Sequence, residues 1–183
     1  MSAYFALFIA ILSRILPYTF HATSVGFTAV GGGLLYFGAR RGRGHTVVAL
    51  LALMATDYYL TTSIFNYPFH TSAYLATWGW YAAVILLGHQ ALAGKSTFLR
   101  VVGAVLATST SFFLLSNFAV WAGSTMYPHT AAGLAACYIA GIPFYANDLM
   151  STAITAGAFF GLPALTREIA ATVREGLHGQ RPA

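Results

Sequence analysis

Charged side chains are scarce in this sequence, and their scarcity determines its class. Only 7% of the 183 residues are charged, nine Lys or Arg and four Asp or Glu, whereas a soluble domain carries about 25%. With 58% hydrophobic residues, the chain cannot cover a globule with hydrated side chains. This excludes soluble enzymes, nucleic-acid-binding proteins and disordered proteins. We expect one integral membrane domain over residues 1–183, with the lipid bilayer as its partner.

Cysteine and catalytic motifs are also lacking. The one cysteine, Cys137, excludes an internal disulfide and a metal site built from clustered cysteines. The motifs HExxH, GxSxG and CxxC are absent. The sequence therefore predicts no metal, no cofactor and no enzymatic activity. The enzymatic alternative, chemistry on a lipid or a quinone, would need Asp148 and His129 as its acid–base couple.

Long apolar runs are what the sequence has instead. A hydrocarbon core of roughly 30 Å requires about 20 helical residues. The runs are continuous, which favours helices over the alternating strands of a membrane barrel. The predicted spans are residues 3–16, 24–39, 46–63, 72–92, 99–123 and about 148–166. We predict an all-α bundle of six transmembrane helices.

A further apolar segment, residues 130–145, lies between two prolines, Pro128 and Pro143. As a seventh crossing it would carry the basic tail, residues 167–183, to the opposite side of the membrane. We interpret it as a short helix at the outer face, either interfacial or re-entrant.

Basic residues give the chain an orientation. Eight of the nine follow the second, fourth or sixth span, and the alternate loops, residues 17–23, 64–71 and 124–131, contain none. The positive-inside rule then places both termini in the cytoplasm, as expected for a multi-pass protein of the bacterial inner membrane. This distribution disfavours the alternative of a nucleic-acid-binding patch.

Four polar residues lie within predicted spans, where each ionisable group costs roughly 2.5–3.5 kcal/mol on insertion scales. Arg14, Asp57, Asn117 and Asp148 all map to the outer half of the bundle. The common depth predicts an outward-opening site for a small solute. In this hypothesis Arg14 binds an anionic group, Asp57 orients it, and Asn117 gives directional hydrogen bonds. The remaining candidate ligand-binding residues are Trp121, Tyr127, His129, Tyr138 and Asn147.

Structural alternatives remain open for several of these residues. Arg14 and Asp57 can neutralise each other as a buried pair. Asp148 can cap the N-terminus of the sixth span. Trp121 and Tyr127 can belong to an interfacial aromatic belt.

Small residues at four-residue spacing let helices approach closely in lipid. Ala6 and Ala10 form such a pair in the first span, and Ala153, Gly157 and Gly161 form a longer ridge in the sixth. Each set serves either internal packing or the docking of a second membrane subunit.

Several short motifs carry a family resemblance. The most specific stretches are Ser116 to Trp121, Met126 to Pro128, Thr130 to Leu134, Cys137 to Tyr138 and Ile142 to Phe144. Earlier in the chain, the matching residues are Ser13 to Pro17, Phe27-Thr28 and Asp57. With these motifs the chain resembles an uncharacterised family of small bacterial membrane proteins, known only as a domain of unknown function. The chain departs from that family at Tyr18, where the family commonly has His, and at Gly26 and Ala29, which replace Asn and Pro.

The layout also resembles, more distantly, the substrate-binding S components of energy-coupling-factor vitamin transporters. That resemblance implies an outward ligand pocket, a covering loop at residues 124–147 and a docking face on Ala6 and Ala10. The leading hypothesis is uptake of a small, vitamin-like nutrient, alone or with a transport subunit. The alternative is a non-transporting accessory or assembly subunit of a membrane complex.

Overall fold

A computed structural model describes residues 2–19, 26–166, 169, 170 and 172 of the chain. Over these residues the chain is helical, without β-strands. The helices are α1 (Ala3–Thr19), α2 (Val30–Arg40), α3 (Thr46–Tyr59), α4 (Thr71–Leu92), α5 (Phe98–Gly123) and α6 (Ala131–Ala156). The predicted all-α class is confirmed for this part of the chain. Most of the predicted basic tail at 167–183, and residues 20–23 of the first loop, lie outside the described residues.

Two helices continue through π-helical turns. One turn, Leu60–Ile64, extends α3, and the other, Gly157–Gly161, extends α6. With these extensions, three helices are long and apolar enough to cross a membrane, namely Arg43–Ile64, Phe98–Gly123 and Ala131–Thr166. Helix α2 has only 11 residues, or about 16 Å at 1.5 Å per residue. It covers about half of a hydrocarbon core.

Helix α6 corrects two of our predictions. The separate short helix at residues 130–145 and a last span beginning near Asp148 were both wrong, because one helix runs from Ala131 to Thr166. Its N-cap is Thr130, whose side chain accepts a hydrogen bond of 3.1 Å from the Gly133 N–H. Pro143 lies inside the helix. Proline removes one donor, which a packed membrane helix tolerates because its neighbours compensate.

The centre of the bundle is α2, in which every residue from Val30 to Gly38 is buried. It packs against α1, α4 and α6. Consecutive helical positions point about 100° apart, so Gly31, Gly32 and Gly33 face different neighbours. A Cβ on Gly32 would lie 2.6 Å from the backbone nitrogen of Ala156 in α6. The glycines therefore let α2 approach several helices at backbone distance.

The small residues of α1 belong to this interior. Ala6 and Ala10 are fully buried, and a Cβ on Gly33 would lie 3.0 Å from the Ala10 Cβ. Internal packing accounts for this pair in the described structure, and docking of a partner on Ala6 and Ala10 stays a prediction. A partner would first have to displace α2.

Aromatic and basic side chains meet where α2 ends, a region we call the basic end. The Tyr4 hydroxyl lies 2.8 Å from Nδ1 of His45, and the Arg41 guanidinium sits 4.6 Å from the centre of the Tyr4 ring. Arg40 stacks in the same way on Tyr36, at 5.2 Å. Such cation–π contacts hold the cations beside the apolar core.

Candidate functional site

Two groups of polar side chains flank the N-terminal end of α2. The first, which we call the arginine cluster, comprises Ser13 and Arg14 of α1, Asp57 of α3 and Trp78 of α4. The second, the aspartate cluster, comprises Thr108 and Ser109 of α5 with Asp148 and Thr152 of α6.

The arginine cluster is built around an ion pair. Arg14 Nη2 donates to Asp57 Oδ1 at 2.5 Å, and the Asp57 side chain is completely buried while that of Arg14 is 20% exposed. Trp78 Nε1 donates to the other carboxylate oxygen at 2.9 Å. The buried-pair interpretation is therefore confirmed, and both oxygens of Asp57 are engaged.

Aromatic rings hold the Trp78 end of this cluster in place. Trp78 stacks on Tyr74 with ring centres 5.9 Å apart, and Tyr74 stacks on Phe69 at 5.0 Å. The Tyr74 hydroxyl lies 2.5 Å from Oγ1 of Thr61, which in turn donates to the backbone carbonyl of Asp57 at 2.7 Å. The position of the carboxylate is thus fixed from α3 and α4 together.

The other side of Arg14 is not satisfied in this way. Its Nη1 is buried and has no hydrogen-bond partner among the described residues. Arg14 borders a cavity of about 190 Å³. The other residues that line this cavity, which we call the arginine pocket, are Ser13, Pro17, Tyr18, Gly26, Phe27, Thr28, Leu60 and Phe65.

The N-terminus of α2 adds positive potential at the same place. The Ala29 N–H donates to Ser13 Oγ at 2.9 Å, so α1 holds the start of the helix. Ala29 gives no side-chain cap, and the Gly33 N–H makes the first bond back, to the Ala29 carbonyl. The N–H groups of residues 30–32 have no partner within the helix. A helix N-terminus with such groups attracts anions.

Asn147 is the other predicted residue near this region. A Cβ on Gly26 would lie 3.3 Å from Asn147 Nδ2, and Gly26 lines the arginine pocket. Of the predicted site residues, the structure thus gathers Arg14, Asp57 and Asn147 around the start of α2.

Asn117 lies elsewhere, between α5 and α6. Its Nδ2 donates to the Phe113 carbonyl of its own helix at 2.8 Å. The Cys137 thiol lies 3.3 Å from the Asn117 carbonyl, and a Cβ on Gly141 would meet the Asn117 amide. This asparagine packs α5 on α6, and none of these contacts is with the arginine cluster.

The aromatic candidates also bond to backbone near the ends of α5 and α6. Trp121 Nε1 donates to the Pro128 carbonyl at 3.0 Å, and the Tyr138 hydroxyl donates to the Leu114 carbonyl at 2.9 Å. His129 packs edge-on against Trp121, with ring centres 5.5 Å apart. Tyr127 lies half-buried in the turn before α6. The structure does not bring these residues to Arg14.

Asp148 is inside α6 and therefore does not cap a helix, which corrects the alternative we had left open. Asp148 lies about 26 Å along the helix axis from the start of α6 at 1.5 Å per residue, and His129 precedes that start, so the acid–base couple that a lipid- or quinone-modifying enzyme would need is not formed. Asp148 instead lies one turn from Thr152 on the same face of α6.

Sequence reasoning missed Trp78 and the three hydroxyls of the aspartate cluster. Trp78 could be read as an interfacial aromatic, and serine or threonine in a membrane helix is ordinary. One signal was available, since Asp148 and Thr152 are four residues apart and must share a helix face. The partners from α5 depend on how the helices are rotated.

An apolar groove of about 590 Å³ lies between α5 and α6 toward the basic end. The predicted ridge of Ala153, Gly157 and Gly161 lines it, and all three residues are exposed. In contrast to Ala6 and Ala10, the residues of this ridge are not buried by other helices within the described part of the chain.

Comparison with known proteins identifies a family for this chain. A model of DUF6580, a family of unknown function, matches residues 1–173. This confirms the resemblance to an uncharacterised family. No curated protein and no solved structure matches the chain significantly.

Proposed function

The chain belongs to DUF6580, a family of unknown function, and we propose that it is a multi-pass membrane protein that binds a small organic anion and helps it cross the bilayer. In this proposal the basic end faces the cytoplasm of a bacterial cell, as the positive-inside rule requires. The arginine pocket then opens toward the outer half of the membrane.

The observation that carries this proposal is that Arg14 lines a cavity while its buried Nη1 has no hydrogen-bond partner among the described residues. Asp57 neutralises the charge of Arg14, and each of its two carboxylate oxygens accepts one hydrogen bond, from Arg14 and from Trp78. A donor left without a partner in a low-dielectric site costs roughly 1–3 kcal/mol, and more when charged. A carboxylate or phosphate oxygen in the pocket would remove that cost with a charge-assisted hydrogen bond.

The pocket also limits the size and chemistry of the solute. A volume of about 190 Å³ corresponds to roughly six water molecules at about 30 Å³ each. This favours a small organic acid or phosphate ester over a large vitamin. Tyr18, Phe27 and Phe65 line the cavity and supply apolar contacts for the carbon skeleton.

The short α2 supports a role in transport. Transporters commonly place half-helix N-termini near the middle of the bilayer, where the positive dipole ends contact anionic substrate groups. Helix α2 is too short to cross, and its N-terminus adjoins Ser13 and the arginine pocket.

The test is a thermal-shift screen of the purified full-length chain in detergent. The probes are two- to six-carbon carboxylates and phosphate monoesters, each paired with its neutral alcohol. We expect at least one anion to raise Tm and its neutral partner to have no effect. The variant Arg14→Gln, made together with Asp57→Asn so that no buried charge is left alone, should weaken the binding by about 10- to 100-fold. Proteoliposomes loaded with that anion then measure its transport.

A matched control is Asn117→Ala, since Asn117 is a polar residue that does not line the arginine pocket. This variant should keep the full thermal shift. Equal stabilisation by the neutral alcohols, or an undiminished shift in the Arg14→Gln and Asp57→Asn double variant, would refute the proposal.

A second candidate function, an accessory subunit of a membrane complex, is supported by the exposed ridge of Ala153, Gly157 and Gly161 in its apolar groove. A partner helix can approach small residues closely there. Ala6 and Ala10, by contrast, are buried against α2. A partner that co-purifies in stoichiometric amount, and is lost from Gly157→Leu, would favour this candidate.

A further inference from the structure

Three hydroxyl groups of the aspartate cluster lack the usual hydrogen bond of a hydroxyl in a membrane helix. A serine or threonine inside a membrane helix ordinarily bonds back to a carbonyl of its own helix. Thr56 does so at 2.8 Å and Thr155 at 2.6 Å. Thr108, Ser109 and Thr152 are completely buried, yet their hydroxyl oxygens have no hydrogen-bond partner among the described residues.

The Thr152 hydroxyl and the Thr108 methyl group both border Gly31 of α2. A Cβ on Gly31 would meet both Thr152, from α6, and Thr108, from α5. The Ser109 side chain lies next to the Asp148 carboxyl, and Asp148 lies one turn from Thr152. Thr108 and Thr152 thus flank Gly31 in α2, and Asp148 with Ser109 adjoins Thr152 between α5 and α6.

The charge of this cluster is not balanced by a basic side chain. Asp148 Oδ2 is buried without a hydrogen-bond partner, and the ion pair found among the described residues is that of Arg14 with Asp57. A buried carboxylate requires a compensating cation or a proton. Three uncharged oxygens and one anionic oxygen in a tight space provide a coordination shell for a small cation.

The ligand set decides which cation fits. Transition metals prefer imidazole or thiolate, and the described residues contain no group of three His, Cys, Asp or Glu side chains. Divalent calcium takes 6–8 oxygens and usually several carboxylates. One carboxylate with neutral hydroxyls matches a single positive charge. We propose that Asp148, Thr108, Ser109 and Thr152 form a sodium site, with carbonyl or water oxygens completing its shell.

This site does not depend on the arginine pocket or its anion, because the two clusters use different residues and ions of opposite sign. Loss of anion binding would leave the sodium response intact, and the reverse also holds. The two proposals can therefore fail separately.

The experiment measures Tm of the purified full-length chain, in the absence of added organic anion, in NaCl, KCl or choline chloride at equal ionic strength. A ligand that binds only the folded state stabilises it in proportion to the logarithm of its concentration. At about 100 times Kd we expect Na⁺ to raise Tm by roughly 5 °C over choline. Above Kd the rise should continue with the logarithm of the Na⁺ concentration, and K⁺ should give a smaller one.

Two variants and a matched control locate the effect. Thr152→Val preserves shape and removes one oxygen, and Asp148→Asn removes the charge; each should abolish the sodium-dependent rise. Thr155→Val is the control, since Thr155 is equally buried in α6 but bonds back to Ser151. It should retain the full sodium response.

Some results would overturn the sodium site. A wild-type Tm that is the same in NaCl and choline chloride means that the oxygens hold only a buried water or that Asp148 is protonated. A rise that persists undiminished in Thr152→Val and Asp148→Asn means that Na⁺ acts elsewhere. A rise equal in KCl and NaCl rejects sodium as the specific ligand.

Discussion

The two clusters beside α2 solve the burial of polar groups in opposite ways. In the arginine cluster, Asp57 accepts hydrogen bonds from Arg14 and Trp78, and what remains is one unpartnered nitrogen of Arg14, a cation that lines a cavity. In the aspartate cluster no such pairing occurs, and what remains is a set of oxygen acceptors around Asp148. The group left over in each cluster sets the sign of the ion that would complete it.

The difference arises from backbone features as much as from charge. Ser13 of α1 uses its hydroxyl to hold the Ala29 N–H, which fixes the start of α2 against the arginine cluster. On the other side, Gly31 has no side chain, so Thr108 and Thr152 pack next to the backbone of α2. A hydrogen bond fixes α2 on the side of the arginine cluster. The missing Cβ of Gly31 leaves space on the side of the aspartate cluster.

The largest expected effect comes from breaking the ion pair. Asp57→Ala leaves Arg14 buried without its counterion and should lower the free energy of unfolding by about 3 kcal/mol. The double variant Arg14→Met with Asp57→Leu should recover most of this loss. By contrast, Asp148→Asn in sodium-free choline buffer should change stability by less than about 1 kcal/mol. Unfolding in SDS measures all three, and an equal loss for Asp57→Ala and Asp148→Asn would erase the distinction between the clusters.

A smaller effect is expected at the glycine that separates the clusters. Gly31→Ala places a Cβ against Thr152, and the overpacking should cost about 1–3 kcal/mol. The sodium-dependent rise in Tm should disappear, while the thermal shift given by the anion should persist. Gly103→Ala is the control, because nothing lies within 4 Å of a Cβ there. Loss of the anion response instead of the sodium response would mean that the two clusters are coupled through α2.

The smallest effect belongs to a predicted site residue that neither cluster uses. Tyr138→Phe removes a hydroxyl bond to the Leu114 carbonyl and should cost about 0.5–1.5 kcal/mol. Both ion responses should remain at their wild-type strength. A change in the Kd of the anion would show that the aromatic residues between α5 and α6 belong to the binding site after all.

The sequence predicted some of this arrangement, and the reasons for the rest are physical. The bounds of α3, α4 and α5 fall within a few residues of the predicted spans, since polar loops end their apolar runs. The last span was wrong because Pro143 was taken as a boundary, whereas a packed apolar helix accommodates it.

Depth along a helix could be inferred from the sequence, but rotation about its axis could not. Arg14 and Asp57 were correctly paired as opposite charges at one depth. Asn117 was assigned to the same site, yet it faces Gly141. The hydroxyl of Thr108 gave no signal, because whether a threonine bonds to its own helix depends on what its neighbours present.

The length of α2 constrains how the protein is made. An 11-residue helix cannot cross a hydrocarbon core of about 30 Å unaided, and its lining helices α4 and α6 leave the ribosome later. During synthesis α2 must therefore wait at the membrane surface, or enter together with α1, until its later neighbours arrive. Truncation after α3 should leave this segment accessible to aqueous labelling reagents, and full-length synthesis should remove that accessibility.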